Sequence, residues 1–317
     1  MMPPSAEKAG VEIFDRSYAG ESDFWRIRDF LVKTYPITPL GFNWEVRRWD
    51  GVMFYGREPG IPSEIAGHIH LWQDSNDELI GVLHPERLGE IYLFVHPDHR
   101  QLEEKMLAWV ETHLGEQEGD THRQLVTFVY DYDSVRSCLL RERGYQATET
   151  LGVMRRLGLS EQGVLGVSLP QGYQLSTTRQ GDLSSAGRIA DLLNDAFNRN
   201  THIAEEHRTF SLQSPCYVGS LDLVAVDQEE QYVAYVGVAY DDVNRLGIFE
   251  PVCTHPEHRR KGLARALILE GLQRLVAMRA SEAVVSTGAM EAANELYDSI
   301  GFQEKVTGRF WVKEIKG

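Results

Sequence analysis

Thr254-His255-Pro256-Glu257-His258-Arg259-Arg260-Lys261-Gly262-Leu263-Ala264-Arg265 stands between an apolar run, Ile248-Phe249-Glu250-Pro251-Val252-Cys253, and a segment with helical periodicity. Ala264, Leu267, Ile268, Gly271, Leu272, Leu275 and Met278 fall on one face of that helix. A strand, a short basic loop with glycine and a helix are therefore expected in succession. The first N–H groups of a helix have no intrahelical partner and carry the positive end of its dipole. Glycine lets an anion approach that backbone closely. Arg259, Arg260, Lys261 and Arg265 add positive charge, which opposes the dipole unless an anion sits nearby. Residues 259–265 thus read as a diphosphate-binding turn.

The same turn occurs earlier, as Val95-His96-Pro97-Asp98-His99-Arg100 after Ile91-Tyr92-Leu93-Phe94, and Arg100 precedes Arg259 by 159 residues. Arg143-Gly144-Tyr145-Gln146 and Ile300-Gly301-Phe302-Gln303 form a second pair, their glycines 157 residues apart. Two matches at nearly one spacing mark a tandem duplication. The chain of 317 residues is long enough for two domains. We divide it into 1–160 and 161–317, at the cluster of Gly158, Gly163, Gly166, Pro170 and Gly172. The second copy is expected to run through a strand at 173–175, a helix at 184–197, and strands at 221–226 and 232–240 before the strand ending at Cys253. A further strand (283–286) and helix follow, then a glycine-aromatic pair and a last strand. Each copy is an α/β (α+β) layer of helices on a sheet.

Asn294-Glu295-Leu296-Tyr297-Asp298-Ser299-Ile300-Gly301-Phe302 adds a second motif downstream of the glycine loop. Together, Arg-x-x-Gly-x-Ala at residues 259–264 and Asn-x-Leu-Tyr before Gly-Phe resemble the two signatures of the GNAT N-acetyltransferase superfamily. The resemblance implies two tandem GNAT-like domains, each a mixed, mostly antiparallel sheet flanked by helices. It implies acetyl-CoA as cosubstrate, lying in a V-shaped opening between two central strands. Val252, Cys253 and Thr254 would then offer backbone hydrogen bonds to the pantetheine arm and thioester. Residues Arg260, Lys261, Gly262, Leu263, Ala264 and Arg265 would hold the diphosphate, and Asn294 would contact the cofactor. Tyr297 would protonate the departing thiolate, a step for which a positioned acid is worth roughly 10²- to 10⁴-fold. The attacking amine must arrive neutral, and Glu250, beside the expected thioester, is the candidate base.

Plainer roles compete with these. Tyr297 shares an apolar face with Ala293, Leu296 and Ile300 and could be core. Glu250 could pair with an arginine at a strand end. Cys253 has no assignable activating base, so a small buried filler is favoured over a ping-pong nucleophile. His255 and His258 recur as His96 and His99 and suit a turn; His68 and His70 lack a third ligand. No metal is expected.

In the first copy, alignment on Arg100 sets Glu103 against Gly262, and alignment on Gly144 sets Leu140 against Tyr297. An acid in the phosphate turn and no phenol point to a degenerate, non-catalytic lobe. The net charge of -15 disfavours nucleic acid and anionic membranes as partners and mildly favours a cationic amine. Three scattered cysteines and an N-terminus without an apolar core fit a reduced, cytoplasmic protein. The expected activity is acetyl transfer to the amine of a small molecule. A protein or peptide N-acetyltransferase and a non-catalytic acyl-CoA-binding module are the alternatives. Oligomeric state and acceptor identity are not encoded in these motifs.

Overall fold

A computed structural model describes residues 12–114, 122–160 and 168–316. The N-terminal residues 1–11 and the glycines Gly163 and Gly166 of the expected boundary lie outside the described residues. The first half contains β1 (Ile13–Ser17), α1 (Glu21–Thr34), α2 (Val46–Phe54), α3 (Ser63–Ala66), β2 (His70–Asp74), β3 (Leu79–Arg87) and β4 (Glu90–Val95). It continues through α4 (Leu102–His113), β5 (His122–Tyr130), α5 (Ser134–Glu142) and β6 (Gln146–Gly158). The second half contains β7 (Gln174–Thr177), α6 (Leu183–Phe197), α7 (Ala204–Gln213), β8 (Asp222–Val226), β9 (Tyr232–Asp241) and β10 (Leu246–Thr254). Then come α8 (Leu263–Ala277), β11 (Glu282–Gly288), α9 (Glu291–Ile300) and β12 (Glu304–Lys316).

Among the described residues all twelve strands join one sheet, in the order β1-β2-β3-β4-β5-β12-β6-β11-β10-β9-β8-β7. Neighbours are antiparallel except for β4–β5 and β10–β11. The order is symmetric about the β12–β6 seam, as a duplication requires, but each half has given its last strand to the other. β6 pairs with β11, from Glu282↔Gly158 to Gly288↔Gly152, while β12 pairs with β5 along its length. Chain order separates the halves; the sheet interlocks them. At the seam Gly152 faces Gly308, and the ring of Phe128 lies across both. A Cβ on either glycine would come within 2.8 Å of that ring, so the close approach requires glycine.

A hydrophobic core also crosses the seam. Phe24, Ile27, Trp49 and Phe54 of α1 and α2 pack in one cluster with Ala239, Leu246, Ile248 and Val284 of the second-half strands. Separate cores lie beneath α4 and beneath α8. Asp182 caps α6 by accepting the Ser185 N–H at 2.7 Å, and Asn198 ends it in the left-handed conformation. The expected helices and strands of the second half appear within a few residues of their positions. His68 precedes β2 rather than sharing a strand with His70, and the His70 imidazole pairs with Asp15 and stacks on Trp109. No helix among the described residues is long and apolar enough to cross a membrane.

Candidate functional site

β10 and β11 run parallel from Leu246↔Glu282 to Phe249↔Val285 and then part. Beyond that point β10 keeps only β9, through Val252↔Val236, Cys253↔Tyr235 and Thr254↔Ala234. β11 keeps only β6, through Ser286↔Met154 to Gly288↔Gly152. An irregularity at Glu250-Pro251, between Phe249 and Val252, drives the divergence. Two strand edges therefore face each other unpaired across a wedge. Backbone groups of Val252, Cys253 and Thr254 lie along one side of it. Each unpaired edge is a row of polar groups suited to an extended ligand.

The turn at the end of β10 is held by its own side chains. His255 Nδ1 accepts the Glu257 N–H at 3.3 Å, as His96 Nδ1 accepts that of Asp98 in the first half. His258 meets the Tyr173 hydroxyl at 2.9 Å, so both histidines brace the turn. Together with Glu257 they bring ligand-type atoms within 4.8 Å of one another. Arg259 also braces it, donating to the carbonyls of Ala196 (2.7 Å) and Thr254 (3.3 Å). Arg260 (φ 63°) and Gly262 (φ 81°) then adopt left-handed conformations, which lifts the chain into α8.

No side chain caps α8, and its first backbone bond is Ala266 N–H to Gly262 C=O at 3.0 Å. The N–H groups of residues 260–265 consequently have no protein acceptor among the described residues. Arg260 and Arg265 have no acidic partner there either, and Lys261 Nζ touches only the Tyr173 hydroxyl at 3.0 Å. Free donors and free cations converge on one turn. That is the physical requirement for holding a diphosphate.

Tyr297 projects from α9 beside the wedge. Its ring is buried against Phe302, yet its hydroxyl has no hydrogen-bond partner among the described residues, and Tyr297 lines a cavity. Burial pushes the phenol up to about 12, the Arg155 charge pulling the other way, so it stays protonated. Arg155 comes from β6 and is itself buried. It donates to Asp298 Oδ1 (2.5 Å), Asn294 Oδ1 (2.9 Å) and the Phe302 carbonyl (3.0 Å). The Asn294 amide donates to the carbonyls of Gly288 (3.0 Å) and Met290 (2.9 Å). Asn294 thus ties α9 to β6 and to the end of β11, and a cofactor contact would compete with those bonds.

The acetyltransferase (GNAT) domain family model matches residues 219–304, from β8 through α9. The second lobe is a GNAT domain. Solved structures extend the likeness in fold to the whole chain. A tandem GNAT protein from the clavulanic acid biosynthesis pathway is 18% identical, with a TM-score of 0.70 and coverage of 97% of this chain and 99% of that one. A GCN5-related N-acetyltransferase from Sphaerobacter thermophilus is 19% identical, at a TM-score of 0.64, and the match covers 96% of each chain. A GNAT-family acetyltransferase from Colwellia psychrerythraea is 12% identical, at 0.59, covering 95% of this chain and 100% of that one. No curated protein matches at the sequence level. The whole chain has the tandem GNAT fold, and the family match itself lies in the second lobe.

Beside the wedge of the GNAT lobe lies a cavity of about 600 Å³, walled by both halves. The second half contributes Glu250, Pro251, Val252 and Tyr297; the first half contributes Arg47 and Arg48 of α2 and Tyr55 just after it. A second cavity of about 310 Å³ adjoins it and shares Arg48, Glu86, Glu250, Ser286 and Thr287 as walls. Glu45, at the start of α2, lines that second cavity and accepts the Arg48 N–H at 3.1 Å. Burial, and then the nearby charge of Glu250, push the Glu45 carboxyl up to about 7. Glu250 thus has a carboxylate neighbour from the other half. Cys253 is buried, and burial pushes its thiol up to about 12, which suits a filler and not a nucleophile.

The first-half copy of the turn corrects one sequence alignment. Its helix, α4, begins at Leu102, directly after Arg100 and Gln101, both right-handed. The loop is two residues shorter than in the GNAT lobe, so Leu102 corresponds to Leu263 and Glu103 falls in the first helical turn. Nothing stands in place of Gly262. Alignment on Arg100 misplaced Glu103 because helix burial, and not the loop, carries the correspondence: Leu102, Met106 and Leu107 match Leu263, Leu267 and Ile268. Glu103 is fully buried between Arg100 (2.6 Å) and Arg136 (2.9 Å), and Arg100 also holds Asp133 at 2.7 Å. Burial raises the Glu103 carboxyl, but the two guanidinium groups outweigh it and hold it below its usual range. An internal anion occupies the cations that a phosphate would need.

Of the residues singled out from the sequence, the turn follows β10, and Glu250 and Tyr297 line one cavity. Sequence reasoning missed Glu45, Arg47 and Arg48, whose signal is a Trp44-Glu-Val-Arg-Arg-Trp49-Asp stretch too charged for an ordinary helix between two tryptophans.

Proposed function

We propose that the chain transfers the acetyl group of acetyl-CoA to the primary amine of a small molecule by direct attack. In this reading, residues 161–317 form the catalytic lobe and residues 1–160 a non-catalytic one that walls the acceptor cavity. The observation that carries it is the conjunction, in one lobe, of an amide turn and a phenol that have no acceptor or partner among the described residues with a parted strand pair whose edges and phenol line one open cavity. The turn fits the diphosphate of coenzyme A. N–H groups of residues 260–265 would bind it, with Lys261, Arg260 and Arg265 adding charge and Arg259 bracing the turn. The edges carrying Val252, Cys253 and Thr254 would align the pantetheine arm. When bound, acetyl-CoA supplies an activated acyl carbon.

Glu250 is the base that takes the amine proton, directly or through water, and Glu45 shares that proton load. Tyr297 protonates the leaving thiolate, a role that a phenol ionising near 12 can fill throughout the physiological range. Asn294 positions α9 through its bonds to Arg155 and Gly288.

The reading favours a small acceptor over a protein or peptide because α2 of the other half walls the cavity with Arg47, Arg48, Gly51 and Val52. Tyr297 argues against a purely binding role, since a binder needs no proton donor. The three unpaired cysteines suit a reduced, cytoplasmic setting, and neither nucleic acid nor membrane is a partner in this reading. Release of free thiol from acetyl-CoA against a panel of small amines, aminoglycosides and peptides tests the proposal. Turnover with small amines and none with peptides is expected; turnover confined to peptides would reverse it.

A further inference from the structure

Arg47 is nine-tenths buried, at 9% exposure, and no hydrogen bond or ion pair joins its guanidinium to any described residue. Among the described residues the other two arginines buried as deeply are both paired, Arg136 with Glu103 and Arg155 with Asp298. Arg47 has only ring faces: its guanidinium carbon lies 4.8 Å from the centre of Phe210 and 5.7 Å from that of Tyr55. Its nitrogens are not sealed in the core, because Arg47 lines the cavity that also holds Glu250 and Tyr297. Ring faces leave the in-plane N–H donors unused. A buried cation with unused donors is costly unless something else satisfies it.

At the mouth of the same cavity Arg199 also lacks an acidic partner among the described residues, its guanidinium lying over Phe197. Opposite charge is present, as Glu250 and, in the adjoining cavity, Glu45, but neither carboxylate comes within ion-pair distance of Arg47. The walls therefore hold separated charges of both signs. A ligand matching them has both signs too.

We infer that the acceptor carries, besides its amine, a compact oxyanion, carboxylate or phosphate, which the Arg47 guanidinium binds. This rests on the acetyl-transfer reading above and names its substrate class. The amine end lies toward Glu250 and the wedge, and the oxyanion end lies at the Arg47 guanidinium where it meets the cavity. A planar guanidinium with free donors suits bidentate binding of either oxyanion. The overall charge of -15 describes the whole surface and does not decide the sign inside a cavity walled by arginines.

The test uses the full chain with acetyl-CoA and matched amines: β-alanine against propylamine, γ-aminobutyrate against butylamine, phosphoethanolamine against ethanolamine, and glucosamine 6-phosphate against glucosamine. In at least one pair the oxyanion member should have the higher kcat/KM, by about 10- to 100-fold and mainly through KM. Arg47→Gln should collapse that ratio toward one, and Arg47→Lys should keep part of it. The carboxylate and phosphate pairs separate the two oxyanions. Preference for the neutral member in every pair overturns the inference while leaving acetyl transfer intact, and so does a ratio that survives Arg47→Gln. Should no amine be turned over, calorimetry of the same compounds on the CoA-loaded protein decides. Binding of an oxyanion member that Arg47→Gln abolishes upholds the site although acetyl transfer has failed, and no binding by any of them overturns it.

Discussion

Arg155, on the last strand of the first half, pairs at 2.5 Å with Asp298, the residue that follows Tyr297 on α9 of the second. The exchange of β6 and β12 makes this contact possible, since it places β6 directly beside β11. The helix that carries Tyr297 in one half is thus held in place by the other. Arg155→Met would strand the buried acceptors of Asn294 and Phe302. The stranded Phe302 carbonyl should cost about 1–3 kcal/mol in stability, while the exposed Asp298 pair is left out of that figure. If α9 is loosened, kcat should fall more than KM rises, measured by denaturant melts and steady-state kinetics. Unchanged kcat in a stable variant would show that the contact is only structural.

Tyr297→Phe removes a proton donor and little volume. Turnover should drop about 10²-fold with coenzyme A affinity near that of the unaltered protein. An unaltered rate would take the phenol out of the mechanism.

Gly262→Glu puts a side chain where φ is 81° and a carboxylate beside the free amide turn. Calorimetry should show coenzyme A binding lost. The unaltered chain should bind one equivalent, because the Glu103–Arg100–Arg136 cluster closes the equivalent place in the first half. A stoichiometry of two would contradict that reading.

Residues 1–160 and 161–317 made as separate polypeptides should each lack a central strand. Each should fail to unfold cooperatively alone and regain cooperative melting when mixed, because β12 lies between β5 and β6. Independent two-state melting of either fragment would count against the exchange.

A base titrating near 7 must be deprotonated to work, so activity should rise with pH through about 7 if Glu45 shares the proton load. No descending limb from Tyr297 should appear until about 12. Glu45→Gln should shift or flatten the rise, with Arg47, Arg48 and Glu250 left to set what remains. Stability runs the other way. The folded carboxyl, raised from 4.5, holds a proton that the unfolded one has released, so its contribution declines as pH climbs from about 4.5 to about 7.

Local chemistry was readable in the sequence. The Arg-x-x-Gly-x-Ala turn, the helical spacing of Leu267, Leu272 and Leu275, and the Gly301-Phe302 end of α9 each depend on residues close together in the chain. So does the loss of Tyr297's counterpart at Leu140. Loop length misled where an identity was used alone, and Glu103 moved by two positions once burial set the register.

The sequence by itself determined a duplicated α/β chain, a phosphate-type turn in only one copy, and the phenol that faces the wedge, because hydrogen bonding along a helix start and apolar periodicity are local properties. Tertiary structure alone decided that β6 and β12 change places and that Arg155 braces Tyr297. It also decided that Glu45 and Arg47 reach a cavity more than two hundred residues away from Glu250 in the chain. Strand exchange leaves the hydrophobic alternation of each strand unchanged, so no pattern in the chain records which sheet it completes.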